Sequence, residues 1–286
     1  MKKELKKVFA LVLVGVSTLV VSCSSDDATD GSDAYVIAEN HVVLKGEDNM
    51  RDLGGYVGFN GKRVLYNKLY RSGELSALTT TDVATLQLLG IQNIVDLRTE
   101  AERTEKPDVA INGTTRINLS LLDESSAASS GSTDYMGAIL SGQMNAEEMM
   151  LKAYLIDQKK IDSWTIIFDA LEEGKITLWH CTAGKDRAGM TSALVLASLG
   201  VDEQTIINDF MLSNAYLGAS NQVTVSYINS KYGAGMGEKL LPLLGVEESY
   251  IEAFFKDINT KYGGLDKFLT LLKVDKKKMR KNFLEK

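Results

Sequence analysis

The chain has 286 residues, 44% of them apolar, enough for one large domain or two small ones with a substantial core. Its formal net charge of -6 argues against a nucleic-acid partner, so an anionic ligand must be drawn by a local cluster of cations rather than by the field of the whole molecule. No internal repeat is visible.

The first segment reads as a targeting signal and not as part of the fold. Lys2, Lys3, Lys6 and Lys7 form a basic start, and the apolar run Val8–Val21 follows. A bilayer span needs about 20 residues, so this run is short for a span but suits a signal-peptide core. It ends in Val20-Val21-Ser22-Cys23, which resembles a bacterial lipobox, in which the cysteine is lipidated and becomes the mature N-terminus. Val20 fits an ordinary cleavage site poorly. The expectation is a lipoprotein signal over 1–22, a polar tether over 23–40 and a folded unit over 41–286, exported and held on a bacterial membrane through Cys23. Ser24-Ser25-Asp26-Asp27 resembles the surface-export signals of some Bacteroidetes lipoproteins. The chain has two cysteines, and with Cys23 assigned to lipid, Cys181 has no partner for a disulfide.

From His41 onward strands alternate with helices. Asn60-Gly61 predicts the turn of a hairpin over Tyr56–Tyr70. Thr81 is expected to cap a helix with Val83, Leu86 and Leu89 on one face, ending at Gly90. Ile91–Leu97 and Ile117–Leu121 read as strands, and Glu124–Asp134 as a polar mobile loop. A helical stretch over Ala146–Glu173, broken near Lys159, places Ile161, Trp164, Phe168 and Leu171 on one face and stops at Gly174. Ile176–His180 reads as a buried strand and Gly189–Leu199 as a closely packed helix. Helices separated at Gly200, Gly233–Gly237 and Gly263-Gly264 complete the chain, and the basic stretch Lys276–Lys281 reads as a solvated helix face. The pattern is α/β: a central, mostly parallel sheet flanked by helices, with a helical C-terminal part.

The chemistry concentrates in His180-Cys181-Thr182-Ala183-Gly184-Lys185-Asp186-Arg187-Ala188-Gly189. A strand, a tight loop and a helix in that order place Cys181 at the carboxyl end of a strand, where open α/β sheets bind ligands. A helix N-terminus offers unpaired N–H groups and a positive dipole end, both suited to an anion. Gly184 lets the backbone curl into a nest of amides, and Arg187 can grip two phosphate oxygens. The same environment favours a Cys181 thiolate. A Walker A reading fails twice, because Trp179 stands where its first glycine belongs and Asp186 where its Ser or Thr belongs. A sulfurtransferase loop is usually one residue shorter between cysteine and arginine, whereas five residues separate Cys181 from Arg187.

His-Cys-x5-Arg is the signature of the protein tyrosine phosphatase superfamily. With Lys185 and Asp186 inside the loop, the string resembles the bacterial tyrosine/lipid phosphatases, the branch of the secreted mycobacterial phosphatase B and its Listeria relative. Asn49-Met50-Arg51-Asp52-Leu53-Gly54-Gly55-Tyr56, Leu69-Tyr70-Arg71-Ser72-Gly73-Glu74-Leu75, Val95-Asp96-Leu97-Arg98 and Tyr262-Gly263-Gly264 agree in order and spacing. The likeness spans roughly residues 40–280.

The resemblance implies a protein-tyrosine-phosphatase-like fold and a phosphomonoester hydrolase that works without metal or other cofactor. Its substrates would be phosphorylated protein, chiefly on tyrosine, with phosphoserine/threonine and phosphoinositides besides. Cys181 would be the nucleophile of a thiophosphate intermediate, Arg187 the phosphate grip and Asp186 the general acid. Asp96 is the alternative acid and Asp134 a third candidate. Thr182, Ala183, Gly184, Lys185, Ala188 and Gly189 would line the phosphate, and Lys185 suits multiply anionic head groups. His180 is read as orienting the loop. Asp96 with Arg98 reads equally as an internal ion pair, and Arg51 and Arg71 as structural ties or substrate cations. Ala188 departs from the family, which usually has Thr or Ser there to help the thiolate leave, so slow breakdown of the intermediate is expected unless Thr182 or Thr191 compensates. Two other functions compete: a non-catalytic phospho-ligand binder and a sulfurtransferase.

Overall fold

The computed structural model describes residues 40–122 and 133–286. The signal, the lipobox at Cys23, most of the tether and most of the Glu124–Asp134 loop lie outside them. Asn40, at the far end of the expected tether, is already buried and donates from Nδ2 to the carbonyl of Gly54 at 3.2 Å.

Five strands form one sheet in the order β1-β2-β5-β3-β4. They are β1 (Arg51–Asp52), β2 (Leu69–Ser72), β3 (Asn93–Asp96), β4 (Thr115–Asn118) and β5 (Thr177–His180). Only the β1–β2 pair is antiparallel. The register aligns Ser72, His180, Asp96 and Asn118, so four parallel strands end along one edge.

Side chains alternate across the sheet. Tyr70, Ile94 and Leu178 share one face, on a core completed by Leu86 and Ile91. Val95 and Trp179 share the other, where the largest core lies. Arg71 is in register with Trp179 and therefore points into that larger core.

Eleven α-helices are described. Before β5 come α1 (Thr80–Leu88), α2 (Glu100–Glu105), α3 (Thr133–Leu140), α4 (Ala146–Ala153) and α5 (Gln158–Leu171). After it come α6 (Asp186–Ser198), α7 (Glu203–Tyr232), α8 (Leu241–Leu244), α9 (Glu248–Tyr262), α10 (Leu265–Leu271) and α11 (Lys276–Phe283). The expected face of α5 is buried at Ile161, Trp164, Phe168 and Leu171. On α11, Met279 and Phe283 are buried under the basic face.

Four local expectations need correction. Asn60 and Gly61 do make a turn, with φ of 57° and 75°, but only Val57 and Arg63 bridge across it. The second arm continues to β2, whose ladders run to β1 and β5, so the predicted hairpin is a short loop within a wider pairing. The cap of α1 is Thr79 and not Thr81: Thr79 accepts from the N–H of Asp82 while the Asp82 carboxylate accepts from the N–H of Thr79. The strand expected at Ile117–Leu121 is Thr115–Asn118, a mostly exposed edge whose polar residues hid its start. Finally, α6 begins at Asp186 rather than Gly189, which puts Asp186 and Arg187 in its first turn.

Candidate active site

The loop between β5 and α6 is shaped from behind. The carbonyl of Thr182 accepts from the N–H of Glu74 at 2.9 Å, and that of Ala183 from Asn49 Nδ2 at 2.9 Å. Arg71 Nη2 donates to the carbonyls of both Gly184 and Lys185 at 2.9 Å. In a planar peptide the N–H points opposite the carbonyl. With four successive carbonyls drawn outward, the N–H groups of the following residues turn into the curl. The first turn of α6 adds to them, because its cap position, Lys185, makes no side-chain capping bond. Together they form a cradle for an anion.

Two glycines make this geometry possible. Gly184 has φ +71°, and a Cβ there would lie 2.4 Å from the backbone of Ser72. A Cβ on Gly189 would lie 2.7 Å from Phe210 and 3.1 Å from Arg71 Nη2. The first glycine lets the loop pass the end of β2, and the second lets α6 settle against α7.

Cys181 stands at the base of the curl, 2% exposed and without a disulfide. Arg187, in the first turn of α6, is near enough for its charge to interact with Cys181. Its Nη1 and Nη2 donate to the two carboxylate oxygens of Glu102 at 2.7 and 2.8 Å, and Nη2 also donates to Thr182 Oγ1 at 3.0 Å. Burial opposes the Arg187 charge, but Cys181, Glu102 and Asp186 outweigh it and push its pKa above the usual range. Burial likewise opposes the charge of Glu102, yet Arg187, Thr182 and the N–H of Thr99 hold its carboxyl down at about 2. The pair is therefore fixed as ions at any physiological pH.

Asp186 follows the loop and is 24% exposed at its side chain. Its Oδ1 accepts from Tyr154 Oη at 2.6 Å, and Lys185 Nζ lies 3.1 Å from Oδ1 and 2.9 Å from Oδ2. The same ammonium donates to the carbonyl of Gly245 at 2.9 Å.

A curl of inward amides around a cysteine, with a bidentate arginine six residues on, is the arrangement a phosphoryl group needs. The model of the tyrosine phosphatase family matches residues 42–285. The chain belongs to that family. A protein of Cupriavidus necator named "Putative tyrosine-protein phosphatase" is 32% identical over 256 residues, covering 88% of this chain and 91% of that one. The "Triple specificity protein phosphatase PtpB" of Mycobacterium tuberculosis is 26% identical over 259 residues, covering 79% of this chain and 91% of its own. A Nostoc commune tyrosine-protein phosphatase is 27% identical over 180 residues, covering 59% of this chain and 55% of its own.

The other residues singled out in the sequence of this phosphatase fall behind the loop. Both oxygens of Asp96 accept from Arg98 at 2.8 to 3.3 Å, and Asp96 is 1% exposed, whereas the Asp186 side chain is 24% exposed, so Asp96 is the one sealed from a leaving group. His180 Nε2 lies 3.1 Å from Asp108 Oδ2. Burial opposes the charge of Asp108, but His180, Arg98 and Arg116 hold its carboxyl well below the usual range. Asp96, Asp108 and His180 lie close enough to share a metal ion. Arg98 already bridges both carboxylates, and its charge would repel a cation there. Arg51 and Arg71 are fully buried and meet on Asp209, at 3.0 and 2.7 Å. They are structural ties. Asp134 lies in α3, with its side chain outside the described residues.

Five contributors were not legible as such: Glu102, Tyr154, Asp209, Asn49 and Glu74. Asn49 and Glu74 sit inside the motifs quoted above. Asp209 left one signal, a lone acid among Ile206, Ile207 and Phe210 on α7.

Proposed function

We propose that this tyrosine phosphatase hydrolyses phosphomonoesters through Cys181. The thiolate attacks phosphorus, so that an Sγ–P bond forms as the P–O bond to the leaving group breaks, and that oxygen takes a proton from Asp186. Water then attacks the thiophosphate and gives its proton to Asp186, which releases inorganic phosphate and the thiolate. The amides of Ala183 to Arg187 and the Arg187 guanidinium balance the charge on the equatorial oxygens. One observation carries this reading: four carbonyls of the loop are all bonded from outside, which reserves its N–H groups for a ligand.

Phosphotyrosine is the chief substrate, with phosphoserine/threonine and phosphoinositides as a wider range. The wider range draws support from the mycobacterial relative, whose name says triple specificity. A second phosphate would reach the Lys185 ammonium only by displacing Asp186 or the Gly245 carbonyl.

Neither hydroxyl near Ala188 is free to assist hydrolysis of the intermediate. Thr182 Oγ1 donates to Glu102 at 2.7 Å, and Thr191 Oγ1 donates to the carbonyl of Arg187 and accepts from Trp164 Nε1. That supports slow breakdown of the thiophosphate.

The decisive experiment measures p-nitrophenyl phosphate hydrolysis without added metal, beside a panel of phosphotyrosine peptide, phosphoserine peptide and phosphoinositides. Activity is expected to be blocked by vanadate, lost in Cys181→Ser and preceded by a burst. Metal-dependent activity that survives Cys181→Ser would sink the mechanism.

The placement is also a proposal: the chain is exported, lipidated on Cys23 and held to a membrane by a tether that ends where the catalytic unit begins. It rests on Val20-Val21-Ser22-Cys23 behind the basic, apolar start. Incorporation of labelled palmitate that Cys23→Ala abolishes would support it, and unlabelled protein free in the medium would refute it.

A further inference from the structure

Tyr154 closes α4 at its C-cap and is fully buried, although its hydroxyl meets a residue of the catalytic loop. Its ring lies edge-on to Phe210, with centroids 6.0 Å apart, and tilted on Tyr250 at 5.6 Å. Three elements, α4, α7 and α9, thus fix where the hydroxyl points. It donates to Asp186 Oδ1 at 2.6 Å, the short distance of a charge-assisted bond. Burial, with Asp186 next in weight, pushes the Tyr154 hydroxyl well above its ordinary range. The hydroxyl therefore keeps its proton and is a poor acid itself.

The other groups facing Asp186 are Lys185 at the cap of α6, Arg187 beside it on α6 and Tyr250 on α9. Lys185 touches both oxygens of the carboxyl and by itself would draw it into a symmetric ion pair. Tyr154 holds one oxygen and so fixes the plane of the group.

We infer that Tyr154 is a positioning residue, which pins Oδ1 of Asp186 so that Oδ2, held at 2.9 Å by the Lys185 ammonium, is the oxygen presented to the departing group. The inference rests on the assignment of Asp186 as general acid. It adds a functional reason for the fold to bring the end of α4 against the loop.

The test uses two substrates, p-nitrophenyl phosphate, whose leaving group departs without a proton, and phenyl phosphate, whose leaving group needs one. The ratio of the two rates is read in wild type, Asp186→Asn, Tyr154→Phe and the double variant. Phe keeps the packed ring, and vanadate affinity reports whether the loop is intact. Asp186→Asn is expected to raise the ratio about 100-fold or more. Tyr154→Phe is expected to raise it about tenfold with vanadate affinity retained. The double variant should be no worse than Asp186→Asn alone. An unchanged ratio in Tyr154→Phe beside a raised one in Asp186→Asn overturns the role of Tyr154 and leaves the acid in place. Independent, multiplying effects in the double variant also overturn it. An unchanged ratio in Asp186→Asn removes the acid assignment, and the inference with it.

Discussion

Two arginines bracket the catalytic loop, and each is held by a carboxylate, but the two pairs do different work. Arg187 and Glu102 stand at the mouth, with side chains 12% and 17% exposed. Arg71 and Asp209 stand behind it, with side chains 0% and 1% exposed, and Arg51 shares the same carboxylate. The Arg187 donors go to Glu102 and to Thr182 Oγ1, two side chains that a phosphate could displace. Every Arg71 contact goes to protein: Asp209 and the carbonyls of Gly184 and Lys185. A pair at the surface of a cleft can exchange partners, whereas a sealed pair can only hold. The charge of a residue does not tell the two apart. Burial does.

The sealed cluster gives the largest expected effect. Asp209→Asn would leave two buried guanidinium groups facing a neutral amide. Burial opposes the Asp209 charge, yet Arg51 and Arg71 hold its carboxyl below the usual range, so the ionised form is the one the fold uses. Breaking a buried pair by removing one partner typically costs about 3–5 kcal/mol. Urea unfolding should show that loss, and kcat should fall with it because the loop carbonyls lose their anchor. A variant as stable as wild type would erase the distinction between the two pairs.

The open pair should respond in the opposite sense. Arg187→Lys keeps a positive charge but loses the fork that spans two phosphate oxygens. A loss of about 10²- to 10³-fold in kcat/KM is expected, as for one lost oxyanion donor. The unfolding midpoint should move less than in Asp209→Asn, because lysine keeps a positive charge opposite Glu102 and leaves no buried ion without a partner. The comparison sharpens if Arg71→Lys shows the reverse balance, a large stability loss ahead of the rate.

The sequence revealed these two regions unequally. The catalytic loop was legible because its chemistry is local: nucleophile, curl, arginine and helix start lie within ten successive residues, His180 to Gly189. Asp96 and Arg98 were legible as a pair for the same reason, being two residues apart on one strand end. Glu102 was hidden because its local role is complete without the site. It closes a capping box with Thr99, and only the fold shows that its two oxygens also grip Arg187. Tyr154 and Asp209 reach partners far along the chain, which no periodicity records. The hairpin misreading has a related cause. Asn60-Gly61 truly turns the chain, but the strand that follows finds its parallel partner at Thr177–His180.

The smallest expected effect belongs to a third carboxyl, which supports the loop from below without any arginine in contact. Glu47 Oε1 accepts from the N–H of Gly73 at 2.6 Å and of Asn49 at 2.8 Å, while Oε2 is buried with no partner. Burial pushes its carboxyl up from 4.5 to about 7, against those two bonds. A carboxyl whose folded value is raised favours the folded state when protonated. Its contribution is fully present below pH 4.5 and is lost as pH rises toward 7. The shift corresponds to at most roughly 3 to 4 kcal/mol. Glu47→Gln keeps a carbonyl for both N–H groups and cannot ionise. The variant should lose part of the fall in Tm that wild type shows between pH 5 and pH 8. A fall just as steep in Glu47→Gln would mean that another group titrates. Glu47 would then be a silent member of the support, and the line drawn between sealed and open carboxylates would run between Asp209 and Glu102 alone.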